Sequence, residues 1–142
     1  MGITISSNNY AVDMGYGGFM NFRKRVAMCQ GDIFGEHYFN LQDSMMLFDE
    51  SDRDKFFDIY DKKTNDLVEN GNVSDEIANF CYQADVEGEI DQEQAAAIYE
   101  VIKDYDDNLC YGYSGRDDCA MFSDLKIIFK DCADNGGVVE WS

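Results

Sequence analysis

Apolar and polar positions recur at two periods along the chain, and the switches between them mark out its elements. "GITI", residues 2 to 5, is a short β-favouring run ending in the polar turn "SSNN", and Tyr10 to Val12 follow as its hairpin partner. Glycines at 15, 17 and 18 then break the pattern. From Phe19 the residues Phe19, Phe22, Val26 and Cys29 repeat at intervals of three and four, which predicts a first helix ending at Gly31. Residues 31–49 are rich in aromatics and Met, and Leu41, Met45 and Phe48 suit a short helix. Between Ser51 and Glu69 the period is clear: Phe56, Tyr60, Thr64, Leu67 and Val68 line one side, while Asp54, Asp58, Asp61 and Lys62 lie off it. Asn70-Gly71 stops that helix.

Ser74, with Asp75 and Glu76 behind it, starts a helix that carries Ile77, Phe80 and Cys81 inward and runs to about Asp85. Asp91 is an N-cap with Gln94 three residues later, opening the strongest helix signal in the chain. Its expected buried stripe is Ala95, Ile98, Tyr99, Ile102 and Tyr105. After the loop "NLCYGYSG" a last helix is expected from about Arg116, with Phe122, Leu125, Phe129 and Cys132 at helical spacing and a stop at Asn135-Gly136. The tail "GVVEW" is strand-like and suits pairing with "GITI". The pattern therefore predicts an α+β fold: one mainly helical domain over residues 1–142, with five or six helices and a small β-sheet formed by the N-terminal strand and the C-terminal tail.

Composition agrees with a folded chain. Its 142 residues suit one compact domain, and 45% apolar with 14% aromatic residues is enough to offset chain entropy. Charge changes the picture more. Asp plus Glu number 29 against 11 Lys plus Arg, a formal net charge of -18, which opposes direct binding to nucleic acid or an anionic membrane. No segment reaches 18 apolar residues and the first twenty lack the pattern of a signal peptide, so a soluble, intracellular protein is expected. Five widely spaced cysteines, an odd number, are read as reduced thiols and not as a disulfide framework.

Candidate chemistry is sparse. "GYGG" before the first helix, with Arg23 a turn or so away, is a candidate anion site through Gly17, Gly18 and Arg23, because a helix N-terminus offers free N–H groups. It lacks the Lys-Ser/Thr of a phosphate loop and the third glycine of a dinucleotide fingerprint, so the competing reading is a strand-to-helix corner whose glycines allow positive φ and close approach. "QADVEGEIDQEQ", residues 83 to 94, has Gly88 where a calcium loop turns, but Gln83 and Gln94 replace the two strongest ligands. No Cys-x-x-Cys pair occurs and His37 is the single histidine, so no zinc centre is expected. The reading is a binding protein, not an enzyme, with no cofactor and no metal.

The acid is concentrated. Between Asp43 and Asp107 there are 20 acidic and five basic residues, a net of −15 out of -18. On the helix from 51 to 69, Asp54, Asp58 and Asp61 fall on adjacent turns, residues four apart rising by about 6 Å, near twice the roughly 3.4 Å phosphate rise of one DNA strand. Pairs such as Asp49 with Arg53 and Asp58 with Lys62 absorb some of this charge. Five basic residues leave the remaining acids unmatched.

In size, acidity and lack of a catalytic motif the chain resembles the small nucleic-acid-mimicking inhibitors of phages and mobile elements, anti-CRISPR and anti-restriction proteins among them. The resemblance is one of character, without a shared motif. It implies a stoichiometric inhibitor of a basic nucleic-acid-binding protein, such as a nuclease or CRISPR effector, with Asp54, Asp58, Asp61, Glu87, Glu89, Asp104, Asp106 and Asp107 facing the target's Lys and Arg. An immunity protein against a nuclease toxin fits the same features. A binder of a small anionic ligand, for instance a nucleotide signal, would instead use the Gly15 to Arg25 turn. The aromatic and Met-rich stretch from Phe34 to Phe48 is compatible with a homodimer.

Overall fold

A computed structural model of the protein describes residues 2–44, 50–106, 111 and 120–142. Its elements in chain order are β1 (Gly2–Ser6), β2 (Ala11–Gly15), α1 (Tyr16–Gln30), α2 (Asp32–Ser44), α3 (Glu50–Glu69), α4 (Asp75–Tyr82), β3 (Gly88–Ile90), α5 (Gln92–Ile102), α6 (Phe122–Asn135) and β4 (Val139–Trp141). The fold is α+β and mainly helical, with one four-stranded antiparallel sheet ordered β2-β1-β4-β3.

Both expected strand pairings form. β1 and β2 make a hairpin in which Ile3 faces Met14 and Ile5 faces Val12. The C-terminal strand lies on the other side of β1, with Ile5 opposite Trp141. Alternation puts Ile3, Ile5, Met14, Ile90, Val139 and Trp141 on the inner face, all buried. Thr4, Asp13, Glu89 and Glu140 stand exposed on the outer one.

The helices cover the inner face through an aromatic core. Phe22 of α1 sits at its centre, with ring centroids of Phe80, Tyr111, Phe122 and Phe129 at 5.7–6.3 Å. Trp141 stands 5.1 Å from Phe19 and 5.6 Å from Phe80, which joins sheet to helices. Each such pair adds about 0.5–1.5 kcal/mol beyond the area it buries. At the far end of the sheet, Asp131 of α6 accepts hydrogen bonds from the backbone and side-chain nitrogens of Asn9 and so pins the β1–β2 turn.

Helix ends follow their local chemistry. Ser74 caps α4 by accepting from the Ile77 N–H, and Asp91 and Gln94 form the reciprocal capping box of α5. α3 stops where Asn72 N–H reaches Leu67 C=O and Gly71 N–H reaches Val68 C=O, with Gly71 at φ 79, a left-handed closure that favours glycine.

Several boundaries differ from the sequence reading. α1 begins at Tyr16, so Gly17 and Gly18 lie inside its first turn and neither has positive φ. The close approach is real at Gly18, where an added Cβ would stand 1.7 Å from the Tyr111 carbonyl oxygen. α2 is a full helix over Asp32–Ser44 that buries Phe34, His37 and Tyr38, while Met45 and Phe48 lie outside the described residues. α5 ends at Ile102: Ala95, Ile98 and Ile102 are buried, Tyr99 is half-buried, and Tyr105 is an exposed residue beyond the helix. Beyond the helix the Lys126 ammonium donates to the carbonyls of Lys103 and Tyr105. The last helix is described from Phe122, and the expected start near Arg116 lies outside the described residues. β3 starts at Gly88, the position at which a calcium loop would turn, and the Trp141 ring there occupies the space of a Cβ.

Candidate functional site

The acidic face begins on α3. Phe56, Tyr60, Thr64, Leu67 and Val68 face inward, Tyr60 and Leu67 being buried. Asp54, Asp58 and Asp61 are exposed. With Asn65 they are spaced by four, three and four residues and so follow one line along the helix, which ends beside the half-buried Val68 at the border with the inward face. The line itself holds only acids and Asn65, and the exposed Lys55 and Lys62 lie beside Asp58, three residues before and four residues after it. Successive acids rise by about 6 and about 4.5 Å. Asp58 and Lys62, both described and both exposed, do not close into the expected ion pair; Asp49 lies outside the described residues.

At its C-terminal end this line enters a groove. Between α3 and α4 lies an open hollow of about 430 Å³ lined by Thr64, Asn65, Val68, Asp75, Ala78 and Tyr82, together with Asn79 and Gln83. Gln83 also borders a second hollow of about 480 Å³ against Glu87, Gly88, Glu89, Glu140 and Trp141. The two hollows therefore meet at Gln83. Residues 85–93 contribute Asp85, Glu87, Glu89, Asp91 and Glu93 with no Lys or Arg among them. Glu89 stands directly opposite Glu140 in the sheet, both exposed, an arrangement that costs stability.

Gln83 closes the sheet at this edge. Its amide donates to the Glu89 carbonyl at 2.9 Å and accepts from the Glu89 N–H at 3.2 Å. A side chain therefore stands where a further strand would pair, and with the glutamates it blocks edge-to-edge association. Contacts to this face are left to side chains.

The other acids singled out from sequence fall elsewhere. Asp104 and Asp106 are exposed beyond the far end of α5, about 15 Å of helix rise from β3, in a neighbourhood that also holds Lys103, Lys126 and Arg25. Asp107 lies outside the described residues.

The anion site proposed for Gly17, Gly18 and Arg23 is not assembled. Arg23 is buried, its guanidinium over the Phe19 ring at 4.7 Å. One nitrogen donates to the carbonyls of Phe80, Cys81 and Gln83 at 3.5, 3.1 and 2.6 Å, and the other pairs with Asp85. These carbonyls end α4, so Arg23 is the cation at the negative end of that helix dipole. Lys24 lies over Phe39, and Arg25 lies over Tyr105 and donates to its hydroxyl. Gly18 is packed on Tyr111.

A buried polar cluster joins α2, α3 and α4; the helical period places Tyr60 and Thr64 inward but not their partners His37 and Tyr82. His37 stacks on Tyr60 at 3.9 Å and meets the Thr64 hydroxyl at 2.6 Å, Thr64 donates to the Tyr60 carbonyl, and the hydroxyls of Tyr60 and Tyr82 are 2.6 Å apart. Burial, and then the charge of Lys63, push His37 down to about 4. Burial raises Tyr60 and Tyr82, and lifts the Cys81 thiol to about 12. These groups are neutral near pH 7, and their hydrogen bonds hold α3 in place. Among the described residues no cluster of three His, Cys, Asp or Glu forms a metal site, and no helix is long and apolar enough to cross a membrane.

Comparison with protein-family models, with curated proteins and with solved structures finds no match to this chain.

Proposed function

We propose that this protein is an acidic inhibitor of a nucleic-acid-handling defence enzyme, a CRISPR effector nuclease for example, and acts by occupying the enzyme's basic DNA or RNA groove. The observation that carries the reading is the exposed line Asp54, Asp58 and Asp61 on α3, which leads toward the hollow between α3 and α4, with Glu87, Glu89 and Glu140 around the neighbouring hollow that shares Gln83. A like-charge pair kept in direct cross-strand register weakens the fold, and a basic partner converts that cost into attraction. The burial of Arg23 removes the main support for a nucleotide-binding turn.

The test is capture of partners from bacterial lysate on the immobilised protein over a salt series, followed by competition. Basic nucleic-acid enzymes should be retained, released as salt rises, and displaced by a DNA or RNA oligonucleotide. The triple variant Asp54→Asn, Asp58→Asn, Asp61→Asn should retain them more weakly. Partners that are not nucleic-acid enzymes, or retention indifferent to salt and oligonucleotide, would refute the proposal.

A further inference from the structure

We infer that the groove between α3 and α4 is a receptor for an arginine side chain of the partner, and that the acid line of α3 guides the flanking cations; this rests on the reading of the protein as a binder of basic partners. The floor is apolar, made by Val68 and Ala78, both half-buried, and it suits the three methylenes of an arginine stem. Tyr82 forms a wall whose ring is half-buried and held by the contact of its hydroxyl with Tyr60. A fixed aromatic face of this kind attracts a planar guanidinium by stacking and by its quadrupole.

Charge selects the same occupant. Asp75 lines the groove and is exposed, and among the described residues no Lys or Arg lines it. A cation entering from the Asp54, Asp58, Asp61 line therefore meets carboxylates before and within the hollow. The groove discriminates between cations: a lysine gains the field of the acids but has no planar face for Tyr82 and no fork for Asp75. Closure of the β3 edge by Gln83 fits this mode, because the surface offers pockets and carboxylates and not backbone pairing.

The experiment uses the whole protein with two probes of equal charge, hexa-arginine and hexa-lysine, at about 0.15 M salt. Binding is followed by calorimetry and by amide NMR shifts. Hexa-arginine should bind about tenfold more tightly than hexa-lysine, with shifts at Asn65, Val68, Ala78 and Tyr82. Val68→Trp, which fills the groove, should erase the preference while leaving hexa-lysine binding in place. Should that variant fold poorly, Asp75→Asn, at an exposed position, should reduce the preference without altering the melting curve by more than a degree or two. Equal affinities in the parent protein, or shifts confined to Asp54–Asp61 and Glu87–Glu89, would overturn the inference and leave only an unselective acidic field. The two readings fail separately: an arginine preference without a nucleic-acid enzyme in the capture experiment sinks the proposed target, and the reverse result sinks the groove.

Discussion

Arg23 offers the sharpest test of the structural reading, because an anion site and a helix cap predict opposite results for the same substitution. In Arg23→Met the stem keeps its packing near Phe19, while the guanidinium contacts are lost. The Cys81 carbonyl still accepts from the Tyr38 hydroxyl at 3.1 Å, so it is not orphaned. The carbonyls of Phe80 and Gln83 lose their Arg23 donor, at about 1–3 kcal/mol for each one that stays buried. Asp85 is half-exposed, and its pairing adds at most about 1 kcal/mol. Against this, the buried Nε of Arg23 has no hydrogen-bond partner among the described residues, and its removal returns a desolvation cost of about 1–3 kcal/mol.

The balance is a loss of about 2–4 kcal/mol. For a chain of 142 residues that is a fall in Tm of about 6–12 °C, with a matching shift of the urea midpoint at unchanged slope. Arg23→Lys keeps the charge but cannot reach three carbonyls and Asp85 together, and should recover less than half of the loss. Thermal and urea denaturation decide the matter. A variant within about 0.5 kcal/mol of the parent, combined with a phosphate-dependent rise in the parent's Tm that Arg23→Met lacks, would refute the capping role and restore the anion site.

The two glycines of the first turn should respond in opposite directions. Gly17→Ala meets nothing within 4 Å and should stabilise α1 by about 0.5–1 kcal/mol, whereas Gly18→Ala drives a Cβ into the Tyr111 backbone and should cost about 1–3 kcal/mol; equal effects on Tm would contradict the packing described. His37 stays neutral in the fold down to about 4 and titrates near 6.5 when unfolded, so the unfolded chain takes up the proton first. Stability should therefore drop as pH falls from about 6.5 to about 4 and not further from this group, by at most about 3 kcal/mol and less where solvent screens the ring. In His37→Gln that slope should vanish from urea titrations run across the window. Gln83→Ala frees the N–H and carbonyl of Glu89 and should cost about 1–2 kcal/mol. It should also allow self-association once about 1 M salt screens the edge glutamates, seen by sedimentation; a variant that stays monomeric in high salt would show that Gln83 does not guard the edge.

Which of these features the sequence disclosed follows from the range of the interactions behind them. Strand pairing of "GITI" with its hairpin partner and with the C-terminal tail, the caps at Ser74 and Asp91, and the inward rows of α3, α4 and α6 depend on local chemistry or on a period of two or 3.6. Such features repeat along the chain and can be read from it. α5 ends at Ile102, and the carbonyls of Lys103 and Tyr105 just beyond it accept from Lys126, 21 residues beyond Tyr105, a contact that no local period announces. β3 escaped notice because three residues carry too little period, and its edge is closed by Gln83, whose role depends on where α4 ends. Arg23 misled for a related reason. Its neighbours in sequence are the glycines of a helix N-terminus, but its partners in space are the carbonyls about 60 residues away at a helix C-terminus. The acid line sits between these cases. Its spacing on α3 was visible, but the hollow beside it takes residues from both α3 and α4, Tyr82 among them, and that juxtaposition lies beyond any local period. The chemistry that tells arginine from lysine therefore lies in the pairing of two helices, where no single segment carries it.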